Sequence, residues 1–241
     1  MISVIIPVLN EAPRIQRMLR ELQAQRRAGD EIIVVDGGSS DGTAALAREL
    51  ADRVEIAPRG RALQMNAGAA AACGDILLFL HADTKLPLSA FASIESSLRN
   101  SALHWGRFDV RLESRQPLIR AVAFLMNWRS RLTGIVTGDQ AIFVRRTTFE
   151  RIGGYPEIAL MEDIALSKAL KTESWPVRIP APIRTSARKW ESGGVWRTIF
   201  LMLRLRLAYF FGADPARLAS LYGYTSGTPL PASGNRTRRN D

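Results

Sequence analysis

Acidic residues stand in this sequence where apolar runs end, at Asp36, Asp83 and the adjacent pair Glu162-Asp163. Asp83 closes the triplet His81-Ala82-Asp83 directly after the strongly apolar stretch 75–80, which predicts a carboxylate held rigidly at a strand end. One carboxylate plus substrate phosphate oxygens makes an adequate Mg²⁺ or Mn²⁺ site, because such ions keep several waters and bind through their substrate. His81 either adds an imidazole ligand, which tilts the choice toward Mn²⁺, or hydrogen-bonds the turn at the strand end. Glu162 and Asp163 follow the turn-rich Gly153-Gly154-Tyr155-Pro156 and open a helical pattern. Acids there either complement the helix dipole or supply a general base that deprotonates an acceptor hydroxyl. No GxGxxG follows the first apolar run and no GxxxxGK[ST] occurs, which argues against a dehydrogenase and a P-loop kinase. Carboxylates at strand ends suit a metal-bridged nucleotide instead.

The elements that must position these groups alternate in the first half. Strands are expected at 2–7, 31–35, 54–57 and 75–80, with helices over 11–26, 41–51 and 61–72 between them. This order predicts an α/β fold, Rossmann-like, with a mostly parallel sheet flanked by helices. In such sheets ligands sit outside the carboxyl ends of the strands, so Asn10-Glu11, the loop 36–42 and the loop 81–84 should share one crevice. The second half is less regular. Strands at 106–112 and 140–144, a helix over 162–171 and an apolar helix over 195–211 are expected, with loops such as 107–131 choosing the acceptor. Residues 225–241 are rich in Gly, Pro, Ser and charge and are expected to form a disordered tail. The rest reads as one domain over 1–222, a nucleotide-binding half at 1–100 and an acceptor half with C-terminal helices at 101–222.

A chain of 241 residues, 46% hydrophobic, can bury a sizeable core. Its net charge of +10 comes from scattered arginines with no groove-reading or base-stacking motif, so nucleic acid is not the expected partner. An anionic small ligand or an anionic membrane face suits that diffuse field better. Cys73 is the single cysteine, which excludes a disulfide framework and a thiolate metal site and suits a reducing compartment. The apolar start, 2–9, contains Pro7 and reads as a strand rather than a signal segment, and no apolar run is long enough to span a bilayer. The expected location is cytoplasmic, or peripheral on the inner face of the membrane.

Taken in order, PVLNEA at 7–12, VDGGSSDGT at 35–43, HADT at 81–84 and GGYPEIALMEDIAL at 153–166 resemble the family-2 glycosyltransferases with the GT-A fold, over residues 2 to about 170. The resemblance implies that Pro7, Asn10 and Glu11 line the pocket of a nucleotide-sugar donor, a UDP-sugar in most members, and that Asp36 contacts its base or ribose. It places Arg61 and Asn66, in GRALQMNAG, facing the nucleotide. Asp83 would take the metal-binding place of the last aspartate in the family's DxD, and Asp163 that of the catalytic base in its ED pair. The reaction implied is inverting transfer to an acceptor hydroxyl, with Arg61 or Arg188 helping to offset the leaving diphosphate.

Three departures stand out. Gly37 replaces the family's second aspartate after strand two, His81 replaces the first aspartate of DxD, and 185–190 reads TSARKW where processive members carry QxxRW. The last favours single addition. Within the family, HADT, GDQAIFVRR at 138–146 and Arg188 to Trp190 resemble a bacterial subgroup linked with arsenosugar biosynthesis. Asp139, Gln140, Arg188 and Trp190 are expected to touch phosphate or acceptor. A non-catalytic nucleotide-binding scaffold and an enzyme glycosylating a lipid carrier are the rival readings. Along 195–211, Trp196, Ile199, Phe200, Leu203, Leu207 and Phe210 share one face flanked by Arg197, Arg204 and Arg206. That pattern suits a peripheral membrane contact, although Leu201, Leu205 and Tyr209 on the opposite face favour burial in the core or a homodimer contact.

Overall fold

A computed structural model describes residues 1–99 and 102–224. The expected tail at 225–241 lies outside the described residues. In chain order the elements are β1 (Ile2–Val8), α1 (Ala12–Gln23), β2 (Glu31–Asp36), α2 (Thr43–Arg48), β3 (Arg53–Ile56), α3 (Arg61–Ala71), β4 (Ile76–Phe79), β5 (Thr84–Lys85), α4 (Ala90–Ser97) and β6 (Trp105–Glu113). There follow α5 (Pro117–Thr133), a 3₁₀ turn (Gly138–Gln140), β7 (Phe143–Arg145), α6 (Arg146–Arg151), α7 (Glu162–Leu170), β8 (Val177–Ser186), α8 (Arg188–Ser192), α9 (Val195–Phe210) and α10 (Pro215–Tyr222).

One sheet carries everything, in the order β3-β2-β1-β4-β7-β6-β8-β5. β3, β2, β1 and β4 run parallel, with Ile5 opposite Ile33 and Phe79. β7 reverses direction against β4, and β6 is antiparallel to β7. Apolar residues of β1 alternate between two cores because successive side chains in a strand point to opposite faces. Val4 and Ile6 join Ile15 and Leu19 of α1 and residues of α4 and α5, while Ile5 joins Met65 of α3 and Leu166 of α7. Both faces are therefore covered, which is why the middles of β1 and β2 are apolar on consecutive residues. Gly68 is the point of closest approach of α3, since a Cβ there would stand 2.4 Å from Cγ2 of Ile5.

The chain departs from the sequence expectations in its second half. The segment 107–131 is β6 followed by α5 rather than an acceptor-choosing loop. The strand expected from Gln140 begins only at Phe143, because 138–140 forms the 3₁₀ turn. α9 packs Leu205, Leu201 and Tyr209 against Leu160, Met161 and Ile164 at the start of α7, with Leu218 of α10 completing this third small core. Its other face leaves Phe200, Leu203, Leu207 and Phe210 exposed. Burial thus accounts for one face of α9 and not the other. Among the described residues no helix is long and apolar enough to cross a membrane.

Candidate active site

Two loops after parallel strands are tied together before any ligand is considered. Asn10 adopts a left-handed backbone, φ 55°, and its N–H donates to Ser39 Oγ at 2.8 Å while its Oδ1 accepts from Ser40 N–H at 3.0 Å. The Glu11 N–H donates to Thr43 Oγ1 at 2.8 Å. Asp36 is buried beneath this junction, and its Oδ1 accepts from the N–H groups of Gly38 (2.7 Å) and Ser39 (2.6 Å). Its Oδ2 is buried without a partner. Gln64 of α3 donates from Nε2 to the carbonyls of Val8 (2.9 Å) and Val35 (2.8 Å), closing the floor between β1 and β2.

Beside that floor opens a cavity of about 480 Å³. Pro7, Glu11, Arg61, His81, Asp83, Asp139, Glu162, Asp163, Arg188 and Trp190 line it, so the structure gathers residues separated by more than 180 positions in the chain. Asn10, Asp36, Asn66 and Gln140 do not. Asn66 spends both ends of its amide on Tyr155, donating to its carbonyl and accepting from its N–H, each at 2.9 Å. This clamps α3 to the turn before α7 instead of facing a nucleotide. Gln140 is fully buried and donates to Ser130 Oγ at 2.9 Å, and together with Thr137 it forms a capping box. Its position is set by helix capping rather than by any ligand.

Asp83 leaves β4 on the short link to β5. The pairing of Thr84 with Thr185 places the Thr185 hydroxyl beneath it, donating to Asp83 Oδ1 at 3.3 Å, and Thr84 supports Thr185 in turn at 3.3 Å. No cation of the protein pairs with Asp83 among the described residues. His81 turns Nδ1 toward Asp139 Oδ1 at 3.4 Å, while its Nε2 is buried without a partner against Gly138, where a Cβ would come within 2.5 Å. The donor types on this lining, the carboxylates of Asp83 and Asp139 and the imidazole of His81, fit a divalent ion such as Mn²⁺. Among the described residues no three His, Cys, Asp or Glu side chains converge on one point, so substrate oxygens would have to complete such a site.

Met161, also on the cavity lining, enters α7 in a left-handed conformation, φ 71°. A non-glycine residue there carries about 1–3 kcal/mol of strain, and such strain collects at functional sites. The turn aims Asp163 so that Oδ2 accepts from Gly138 N–H at 3.0 Å and Oδ1 from its neighbour Ile164 N–H at 2.7 Å. Gly138 is therefore the contact shared by both sides, with its N–H on Asp163 and its Cα against His81. Glu162 points inward, 5% exposed, with Arg61 Nη1 at 3.8 Å. Burial first, and the charge of Asp163 second, push its pKa above the usual carboxylate value, only partly offset by Arg61. Arg61 also lies over the ring of Tyr224, 5.6 Å from its centroid.

A folded state that raises an acid's pKa binds its proton more tightly than the unfolded chain, so stability falls as pH rises from the unfolded value of about 4.3 through the raised one. Glu162→Gln is expected to remove that fall. Thermal melts taken between about pH 4 and pH 7 should then show a flatter profile than the wild type. An identical profile in the two proteins would mean that the Glu162 carboxylate ionises without penalty.

Sequence reasoning does not place Gln64, Thr185, Arg206, Tyr222 or Tyr224 at the site, although all of them line the cavity. Gln64 had a usable signal, since 61, 64, 65 and 68 share one helix face and a polar residue in that phase must find partners inside. The others arrive through long-range packing of β8, α9 and α10.

Residues 3–121 match the family model described as Glycosyl transferase family 2. Glycosyltransferase AglE of Haloferax volcanii is 40% identical over 91 residues, 34% of this chain and 30% of that protein. The probable glycosyltransferase YdaM of Bacillus subtilis is 27% identical over 220 residues, 81% of this chain and 52% of its own length. The chain thus spans about half or less of the length of the curated relatives it matches. Among solved structures, a mannosyltransferase of Pyrobaculum calidifontis in complex with GDP-Man and Mn²⁺ superposes with a TM-score of 0.67 at 23% identity, covering 92% of this chain and 69% of that one. Glucosyl-3-phosphoglycerate synthase of Mycobacterium tuberculosis, with Mn²⁺, UDP and glucosyl-3-phosphoglycerate, gives 0.62 at 20% identity, covering 94% and 81%. The architecture is the GT-A fold.

Proposed function

Starting from a Glycosyl transferase family 2 domain over residues 3–121, we propose that the chain transfers one sugar from a nucleoside-diphosphate sugar to an acceptor oxygen with inversion. The observation that carries this reading is that Asp83 and Asp163 line one cavity, with Gly138 set between Asp163 and His81, two residues before Asp83. Pro7, Glu11 and Arg61 line the donor side, and Asp36, buried beneath the adjoining turn with Oδ2 unpartnered, is the residue proposed for base or ribose. A divalent ion, Mn²⁺ or Mg²⁺, held by Asp83 with His81 or Asp139 and by diphosphate oxygens, would supply charge neutralisation for the leaving group. Arg61 and Arg188 add positive charge at the same wall. Asp163, fixed by two backbone N–H groups, takes the proton from the attacking oxygen, and the wall from Leu160 to Ile164 excludes water around it.

Complexes of the structural relatives hold GDP-Man in one case and UDP in another. Uracil is proposed here as in most of the family, with guanine the competing base. HADT and GDQAIFVRR keep the subgroup linked with arsenosugar biosynthesis within the proposal. The deciding experiment is calorimetric titration with UDP, GDP and UDP-sugars in Mn²⁺, Mg²⁺ and chelator. One nucleotide is expected to bind at micromolar level only with metal, a free energy of about −8 kcal/mol. No binding under any metal would sink the reading.

A further inference from the structure

Behind the strands that support Asp83 stands a row of cations that the reaction above does not use. β5 pairs with β8 so that Lys85 lies opposite Arg184, and β8 pairs with β6 so that Arg184 lies opposite Arg111. Residues opposite one another share a face of the sheet, and neighbouring strands are about 4.8 Å apart, so three positive side chains leave the backbone abreast within about 10 Å. All three line one cavity of about 400 Å³, together with Glu21, Pro87 and Leu88. One step along two of these strands, Leu112 and Thr185 are buried and line the active-site cavity instead. Side chains one step apart in a strand point to opposite faces, so the cation row and the support of Asp83 stand back to back.

Sheet chemistry does not account for the row. Like charges directly opposite one another destabilise a strand pair. A lysine on an edge strand blocks unwanted pairing, which explains Lys85 on the edge strand β5. Arg184 and Arg111 belong to the inner strands β8 and β6, where there is no edge to protect. Counterions are also short. Lys85 Nζ lies 3.9 Å from Glu21 Oε1, the same oxygen that Arg17 Nε holds at 3.0 Å. The exposed guanidinium groups of Arg111 and Arg184 make no hydrogen bond or ion pair among the described residues. Two free guanidinium groups and an ammonium around one hollow match a phosphoryl group better than a carboxylate, because it carries nearly two charges and three strong acceptor oxygens that Arg grips through paired N–H donors.

We propose that Lys85, Arg111 and Arg184 form a binding site for a phosphoryl anion, separate from the active-site cavity. Its occupant neutralises the row and ties the edge strand β5 to β8 and β6, the ladder from which Thr185 supports Asp83. The phosphoryl group can belong to a soluble oligophosphate or to the headgroup of a lipid. Leu88, 88% exposed on the same lining, gives the lipid source an apolar foothold.

The test is calorimetry and thermal melting of the full chain in chelator, so that the metal-dependent donor site proposed above stays closed. The probes are tripolyphosphate in solution and phosphatidic acid in phosphatidylcholine vesicles. Pure phosphatidylcholine vesicles and sodium chloride at matched ionic strength are the controls. At least one phosphate probe should bind, with an affinity that falls roughly tenfold or more in Arg184→Thr and in Arg111→Thr, the loss typical of charge-assisted hydrogen bonds. Threonine suits an exposed strand position, and a wild-type-like melt without phosphate separates loss of the site from loss of the fold. Binding of tripolyphosphate, with a rise in melting temperature beyond that given by sodium chloride, assigns a soluble ligand. Binding confined to phosphatidic acid vesicles assigns a lipid one. Failure of both probes to bind overturns the site, and a thermal rise that sodium chloride reproduces would then be screening of a repulsive row. Equal affinity in the wild type and both variants overturns it too, since the anion would then sit on the arginines of the active-site cavity. Every arm is run without metal or nucleotide, so its failure leaves the glycosyltransferase reading untouched.

Discussion

Asp163→Asn is expected to lower the turnover number by roughly 10²- to 10⁴-fold, the contribution of a positioned general base, while leaving nucleotide affinity within a few-fold of wild type. The reason is local. Asparagine keeps one oxygen, enough to accept from Ile164 N–H or from Gly138 N–H, so the first turn of α7 and the 138–140 turn stay close to their places. What it loses is the ability to take a proton. Steady-state kinetics on the purified variant with the cognate donor, together with a nucleotide titration and a thermal melt, separate the chemical loss from a folding loss. Glu162 is the competitor for the role. It is buried, faces Arg61 and holds its proton more tightly than an ordinary carboxylate, all of which suit a supporting acid that shapes the pocket. Near-normal turnover in Asp163→Asn with a collapse in Glu162→Gln would reverse the two assignments.

The parts of this arrangement that could be read from the sequence are those set by local chemistry. The apolar runs at 4–9 and 32–35 read as strands covered on both faces, and the structure covers them so. The crowding of Asp, Ser and Gly at 36–43 marks a turn that needs left-handed backbone and side-chain acceptors, and Gly38, Gly42 and Asp36 supply them. Asp83 stands out just beyond the apolar run that forms β4, and Asp163 in the first turn of α7.

What escaped is non-local or blurred. Nothing near Thr185 announces that it will pair with Thr84 and support Asp83, because that contact joins strands 101 positions apart. The helix α5 hides in its composition, since Phe124, Leu125, Trp128 and Leu132 stay exposed and wash out the one-sided apolar stripe by which a helix is recognised. The start of α10 was legible and passed over: Asp214 accepts from Ala216 N–H at 3.0 Å with Pro215 at the first helical position, a standard helix start. Asn66 shows the opposite error. A polar residue on the right helix face was given a ligand, while the backbone of Tyr155 had already taken both ends of its amide.

Asp83→Ala should abolish the metal dependence of nucleotide binding. The side chain makes one long hydrogen bond, from Thr185, and no ion pair among the described residues, so its removal disturbs little in the fold and the melting temperature should move by no more than a few degrees. Its effect falls on the ligand. Even residues that only orient a metal ligand are worth about 10- to 100-fold in metal affinity, and a direct ligand in a site completed by substrate should be worth at least that. The sharper measurement is a comparison of two losses. Chelator should weaken nucleotide binding to the wild type and do nothing further to Asp83→Ala, because both remove the same interaction. If the variant instead keeps a chelator-sensitive affinity, the ion is held by His81 and Asp139, whose imidazole nitrogen and carboxylate already face each other across 3.4 Å. The histidine that replaces the family's first aspartate would then be the principal ligand, and a preference for Mn²⁺ over Mg²⁺, favoured by imidazole, should appear in the same titration.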